Sequence, residues 1–249
     1  MRRWRRTGGA SGGSVHGLAE RSVLRWSDLG LRAASASILA PIGLGCIWLG
    51  GTPFALLIGA AALGLVIEWL MLCRLPAVRP VAGPPLAAGL AYVALAAASL
   101  LYLRADPIAG RSNVLLLVLV IWAADIGAYL VGRMVGGPRL APSISPGKTW
   151  SGAVGGLAAA VAVGLVATLF LSDAGVGWRA ALVSVGIGIV AQFGDLLESL
   201  VKRRFGVKDS SHIIPGHGGL FDRLDGVLSA APAAAVLALA LGRGVVLWQ

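Results

Sequence analysis

Charge is scarce in this chain, and acidic charge above all. Of 249 residues only 13 % are Asp, Glu, Lys or Arg, and just 11 are acidic. A soluble globular domain carries about 25 % charged residues, so a fold of this length with a fully hydrated surface is excluded. Cysteine is also sparse: Cys46 and Cys73 fall late in the first and second apolar runs. If those runs form a helical hairpin, the two thiols end near opposite faces of the layer they cross and build no disulfide framework. The net charge is +10, yet no basic patch interleaved with aromatics occurs. The Lys and Arg residues sit at the ends of apolar runs, which excludes a nucleic-acid partner and fits lipid headgroups instead.

What the chain does have is long apolar sequence, 57 % hydrophobic overall. The run from Ala33 to Cys73 holds a single charge, Glu68. Such runs read as transmembrane helices. The pattern predicts an all-α, polytopic bundle of about seven helices, near 33–50, 53–73, 86–103, 114–132, 151–171, 180–197 and 227–247. Three regions follow: a mobile basic tail over 1–30, N-terminal spans over 31–113, and a region over 114–249 that carries the polar motifs. The arginine pairs Arg2-Arg3 and Arg5-Arg6 have no apolar segment soon after them, unlike a twin-arginine signal. No sustained repeat is visible, but Ala and Gly are dense over 151–168, which suits close helix packing.

The cations also give an orientation. With the N-terminus inside, 17 of the 21 Lys and Arg residues fall on cytoplasmic segments, leaving Arg104, Arg111, Arg179 and Arg243 outside. The positive-inside bias therefore predicts a cytoplasmic N-terminus, with both polar motif loops on the same side.

Five of the 11 acids fall within 31 positions: Asp195, Glu198, Asp209, Asp222 and Asp225. A carboxylate near the bilayer costs about 2.5–3.5 kcal/mol on insertion scales, so the cluster needs a reason. Asp195, Glu198, Ser199 and Lys202 are spaced to share one helix face, and Asp222 and Asp225 repeat the i, i+3 spacing. Two such pairs on facing helix ends could make an oxygen cage for Mg²⁺; mutual salt bridging with Lys202, Arg203 and Arg223 is the structural alternative. Between the pairs, Pro215-Gly216-His217-Gly218-Gly219 lets backbone approach a phosphate closely. His217 suits phosphate binding, proton transfer or a structural hydrogen bond. All three lysines, Lys148, Lys202 and Lys208, lie in the motif loops.

A second motif runs from Asp125 to Lys148. Asp125, Tyr129 and Arg133 form one helical stripe, and an intramembrane Asp marks a functional site by default; pairing with Arg133 or with another helix is the alternative. The loop Pro142-Ser143-Ile144-Ser145-Pro146-Gly147-Lys148-Thr149 offers hydroxyls and a lysine. Gly147-Lys148-Thr149 is not the end of a phosphate-binding P-loop, since Pro142 stands where that motif needs glycine and no strand precedes it.

Ser199-Leu-Val-Lys202-Arg203, Lys208-Asp209 and Pro215-Gly-His217-Gly-Gly-Leu-Phe-Asp222-Arg223-Leu-Asp225 resemble the signature of the phosphatidate cytidylyltransferase (CDP-diacylglycerol synthase) family. Ala124-Asp125-Ile-Gly-Ala-Tyr129, Ser143-Ile-Ser-Pro-Gly-Lys148-Thr149-Trp150 and Gly194-Asp195-Leu-Leu-Glu198-Ser199 resemble its other conserved segments, so the likeness covers about 110 residues, 120–229. The resemblance implies a membrane nucleotidyltransferase that joins CTP and phosphatidate into CDP-diacylglycerol and pyrophosphate, with Mg²⁺. It leaves open a second, monovalent cation and a homodimer. It implies Asp195 and Asp222 as the first metal ligands, with Glu198 and Asp225 next. Lys202, Lys208, Asp209, His217 and Arg223 would form the catalytic set. Asp125, Tyr129, Ser143, Ser145, Lys148, Thr149, Ser199, Arg203, Gly218 and Gly219 would contact the nucleotide or the lipid head. The partners would be CTP, phosphatidate and membrane lipids, in a bacterial cytoplasmic membrane with the site facing the cytoplasm.

The alternatives are a CTP-dependent lipid kinase, a cytidylyltransferase for another lipid phosphate, and a transporter whose Asp125 and Asp195 line a cation path. A CDP-alcohol phosphotransferase is excluded, because its motif needs further aspartates and no acidic residue follows Asp225.

Overall fold

The computed structural model describes residues 37–74, 83–171, 177–207, 210–211 and 219–249. Among these residues are seven helices: α1 (Ser37–Leu49), α2 (Gly51–Cys73), α3 (Pro84–Ala105), α4 (Gly110–Val135), α5 (Trp150–Leu171), α6 (Trp178–Arg204) and α7 (Phe221–Leu241). Helices α2 to α7 are each long and apolar enough to cross a membrane. The all-α multi-pass expectation therefore holds. The tail over 1–30 lies outside the described residues.

Helix α4 is the axis of the bundle. Leu116, Leu117, Val120 and Ala124 are fully buried, and residues of α1, α2, α3, α5, α6 and α7 join them in one core. The outward faces carry Leu56, Leu95, Phe170, Leu182 and Val236. In water such a surface would aggregate; in hydrocarbon it is the expected exterior.

The Ala/Gly-rich sequence of α5 does what its composition predicts. A Cβ at Gly152 would stand 2.8 Å from the Ala128 carbonyl oxygen, and one at Gly156 would stand 2.6 Å from that of Ala124. Glycine here lets the α4 and α5 backbones touch, the way small residues seat neighbouring transmembrane helices.

Trp69 bonds Leu86, Gly132 lies against Gly152, Lys202 pairs with Asp222, Glu68 bonds Leu220 and Arg203 bonds Ile144, so the C-terminal ends of α2, α4 and α6 share one face with the N-terminal ends of α3, α5 and α7. On this face a smaller core gathers Leu65, Trp69, Leu72, Phe205, Phe221 and Leu228. Trp69 meets Phe205 edge-on at 5.7 Å and donates its indole N–H to the Leu86 carbonyl at 3.1 Å.

Three departures from the sequence reading have clear causes. The 133–148 stretch is not all loop: β1 (Arg139–Ala141) and β2 (Ser145–Thr149) pair as an antiparallel hairpin with an irregular register. Helix α7 begins at Phe221 and not near 227, because hydropathy counts Asp222 and Asp225 as loop although both lie in helical turns. It also ends at Leu241, short of the expected 247. Gly242 and Gly244 take positive φ of 94° and 79° and turn the chain back. The returning segment is held by Asn113, which accepts from the Leu247 N–H at 2.9 Å, and by Asp106, which accepts from the Gly244 N–H at 2.6 Å. Cys46 and Cys73 are both free thiols.

Candidate active site

The polar motifs meet at the face where α4 and α6 end and α5 and α7 begin. They line a cavity of about 720 Å³. Helix α4 contributes Asp125, Tyr129 and Arg133, the hairpin contributes Arg139, Ser145, Lys148 and Thr149, and α6 and α7 contribute the acids.

On α6 the i, i+3 spacing puts Asp195 and Glu198 on one face, as expected. Asp225, one turn into α7, comes up against them: one oxygen from each of the three carboxylates lies within 4.8 Å of the others. Two helices at close quarters make this meeting. A Cβ at Gly194 would stand 2.8 Å from the Asp225 carbonyl oxygen, so the glycine beside Asp195 is what lets α7 approach. Tyr92 on α3 and Ser229 on α7 brace the same spot, with their hydroxyls 2.5 Å apart.

Whether these residues fit a metal ion can be judged from one atom. Oε1 of Glu198 is buried and has no hydrogen-bond partner among the described residues. A buried carboxylate oxygen left unpaired is costly, and a hard divalent cation is the partner that three converging carboxylates would satisfy. The donor set therefore fits such an ion.

Asp222 lies outside this trio, although it shares Lys202 with Glu198. Its Oδ1 accepts from Lys202 Nζ at 2.5 Å, and its Oδ2 accepts from the N–H of Ser210 at 3.1 Å, the Ser210 hydroxyl at 3.1 Å and the N–H of Gly219 at 3.0 Å. The family resemblance ranks Asp222 beside Asp195 as a first metal ligand; the carboxylates that converge among the described residues are those of Asp195, Glu198 and Asp225. Lys202 also reaches Glu198 at 3.1 Å, and Lys148 from the hairpin pairs with Asp195. The structural alternative of salt bridging is thus partly realised, and it coexists with the orphaned oxygen of Glu198. Among the described residues Asp125 and Arg133 make no ion pair with each other, although both face the cavity.

Several expected contacts have local duties. Thr149 accepts the Gly152 N–H at 3.1 Å, which caps α5. Arg203 donates to the Ile144 carbonyl at 3.3 Å and ties α6 to the hairpin. Ser145 lines the cavity, whereas Ser143 and Ser199 are not among its lining residues. Gly219 is buried and its N–H serves Asp222. Lys208, Asp209, His217 and Gly218 lie outside the described residues.

The sequence reading passed over Glu68. This α2 residue is fully buried and accepts from the Ser211 hydroxyl and from the N–H groups of Leu220 and Phe221, with the Ser210 hydroxyl shared between it and Asp222. It was visible as the one charge in an otherwise apolar run, the same signal that marked Asp125.

Comparison with known proteins places the chain in a family. The profile of the cytidylyltransferase family matches residues 83–241, which include both motifs. A phosphatidate cytidylyltransferase of Brucella suis is 38 % identical over 250 residues, covering 82 % of this chain and 91 % of that protein. One of Rickettsia bellii is 35 % identical, covering 83 % and 89 %. One of Haemophilus influenzae is 44 % identical over 131 residues, 51 % of this chain and 46 % of that protein. With the family profile spanning most of the bundle and full-length relatives alongside, the chain belongs to the cytidylyltransferase family.

Proposed function

We propose that this protein is a membrane-embedded phosphatidate cytidylyltransferase that transfers CMP from CTP to phosphatidate and releases pyrophosphate. The observation that carries the reading is the meeting of Asp195, Glu198 and Asp225 beside Lys148 and Lys202 in one cavity at the end of an apolar bundle. Opposed charges at this density suit a site that gathers two phosphorylated substrates and a cation.

In the reaction a phosphate oxygen of phosphatidate bonds to the α-phosphorus of CTP, and the bond from that phosphorus to the bridging α–β oxygen breaks. The nucleophile is already an anion, so the chain need not supply a strong base. Its task is to bring two anions together and hold them in line. Asp195, Glu198 and Asp225 would hold Mg²⁺, which when bound neutralises phosphate oxygens and draws charge from the reacting phosphorus. Lys148, Lys202 and Arg223 line the cavity as its cations toward the phosphates. Each of the two lysines sits on a carboxylate, so it is held in place before an anion arrives. Arg133, Arg139 and Tyr129 also line the cavity and suit the lipid head. Lys208, Asp209, His217 and Gly218 keep the roles that the family signature implies. The excess of Lys and Arg at this end of the bundle supports a cytoplasmic site, where CTP is found, and the bacterial relatives support the cytoplasmic membrane of a bacterium.

Purified protein in detergent micelles should release pyrophosphate from CTP only when phosphatidate and Mg²⁺ are both present. Release without phosphatidate, or release only with a different lipid phosphate, would sink this reading in favour of another CTP-dependent enzyme. Intact CTP under every condition would favour a transporter.

A further inference from the structure

We propose that Glu68 is a positioning residue of the transfer site, acting from α2 through the start of α7. The inference rests on the reading of that site as the transfer centre. Glu68 is fully buried in a membrane-spanning helix, where a carboxyl group is costly unless its oxygens are bonded. Its Oε1 accepts the Leu220 N–H at 2.6 Å and the Ser211 hydroxyl at 2.5 Å. Its Oε2 accepts the Phe221 N–H at 2.9 Å and shares the Ser210 hydroxyl, 3.3 Å away, with Asp222. The first N–H groups of a helix have no partner within it. The N-cap residue of α7, Leu220, offers no side-chain cap, so Glu68 supplies one from another helix.

What the cap holds is the reason to assign it a role in the reaction. Asp222 follows Phe221 directly, and Asp225 is three residues further along the same helix. The Ser210 hydroxyl lies between the two acids, 3.3 Å from Glu68 and 3.1 Å from Asp222. Gly219 closes the arrangement: a Cβ there would lie 3.0 Å from Glu68 Oε2 and 3.0 Å from the Ser211 nitrogen. Glu68 thus fixes the height and rotation of the turn that presents Asp222 to Lys202 and Asp225 to Asp195 and Glu198.

Each oxygen of Glu68 receives one backbone N–H, and an N–H cannot reverse. In Glu68→Gln the amide nitrogen faces a backbone donor whichever way the side chain flips. The hydroxyls can turn; the amides cannot. The variant keeps the size of the side chain and loses one anchor of α7.

The test compares wild type, Glu68→Gln and Ser210→Ala in the pyrophosphate assay and in amide hydrogen exchange followed by mass spectrometry. Glu68→Gln should lower kcat by about 10–100-fold, the range for removing a group that orients a ligand, with KM for CTP little changed. Exchange should accelerate in peptides covering 219–224 and stay at the wild-type rate in α4. Ser210→Ala should lower kcat less, by about 3–10-fold, because it removes one hydroxyl shared between two acids and leaves both backbone anchors of Glu68 in place. Wild-type kcat in both variants would overturn the inference. So would faster exchange throughout α4 in Glu68→Gln together with wild-type kcat in Ser210→Ala, which would make Glu68 a determinant of folding alone. Inactive wild-type protein would instead sink the proposed function.

Discussion

Nζ of Lys202 stands 2.5 Å from Oδ1 of Asp222, joining the end of α6 to the start of α7 across the cavity floor. The same Nζ reaches Glu198, one turn back on its own helix, at 3.1 Å. One ammonium therefore links the three-carboxylate group to the acid beside it. The acids divide accordingly: Asp195, Glu198 and Asp225 converge on a point, while Asp222 holds a lysine and a loop.

That division can be read in metal dependence. Asp225→Asn should reduce pyrophosphate release by about 100-fold, taking the loss of a ligand as at least the cost of disturbing one from behind. It should also raise the Mg²⁺ concentration that gives half-maximal rate. Asp222→Asn should lower kcat but leave that concentration near the wild-type value. A titration of rate against Mg²⁺ in both variants decides the matter; an equal rise in the two would return Asp222 to the metal.

Lys202 should matter for stability as well as rate. Its side chain and that of Asp222 are each only 14 % exposed, and Glu198 is 11 % exposed. Removing one member of a buried ion pair leaves an uncompensated charge and costs about 3–5 kcal/mol. Lys202→Met should therefore melt earlier than wild type in detergent without divalent ions. Adding Mg²⁺ should narrow the gap, because a bound cation replaces the lost positive charge. An unchanged melting temperature without Mg²⁺ would mean that the pair contributes nothing to the fold.

The spans were legible because length and hydropathy decide them, and the α6 acids because the spacing of Asp195 and Glu198 survives any choice of helix ends. The trio was not fully legible. Asp222 and Asp225 look equivalent in sequence, and only the approach of α7 to Gly194 turns Asp225 inward. Ser210 sends its backbone N–H to Asp222 from outside the helix altogether. Glu68 lies more than 130 residues before the loop it holds, a separation that no local pattern reports. The end of α7 misled hydropathy, since Val245, Val246, Leu247 and Trp248 are as apolar as a span although Gly242 and Gly244 turn them back.

The contact of α4 with α5 sets where the hairpin, and with it Lys148, sits relative to α6. Gly156→Ala would bring a Cβ to 2.6 Å from the Ala124 carbonyl and 2.9 Å from Nε2 of Gln192. Overpacking of this kind costs about 1–3 kcal/mol. The activity should fall along with the stability as the helices part. Gly186→Ala on α6 is the control: nothing lies within 4 Å of its Cβ position. That change should be neutral or stabilise by up to about 1 kcal/mol through helix propensity. Melting temperatures of the two variants that coincide would mean that α5 is free to shift.

The opposite face of the bundle responds to acid through Asp106. Burial pushes its carboxyl pKa up, but the N–H groups of Ala109, Gly244 and Ile108 and the charge of Arg243 outweigh that and hold it below the usual aspartate value. A carboxyl with a depressed folded pKa contributes stability that is complete above its unfolded pKa of about 3.9 and is lost as pH falls through the folded value. Asp106→Ala should therefore melt below wild type at neutral pH. The difference should shrink as pH drops below about 4, where wild type loses the same carboxylate. The C-terminal segment should be the part that loosens, because Gly244 donates to this side chain at 2.6 Å. Melting curves of both proteins from pH 7 down to pH 3 test the sign directly. A gap that stays constant or widens in acid would show that the segment is held by Asn113 and packing, and not by the Asp106 carboxylate.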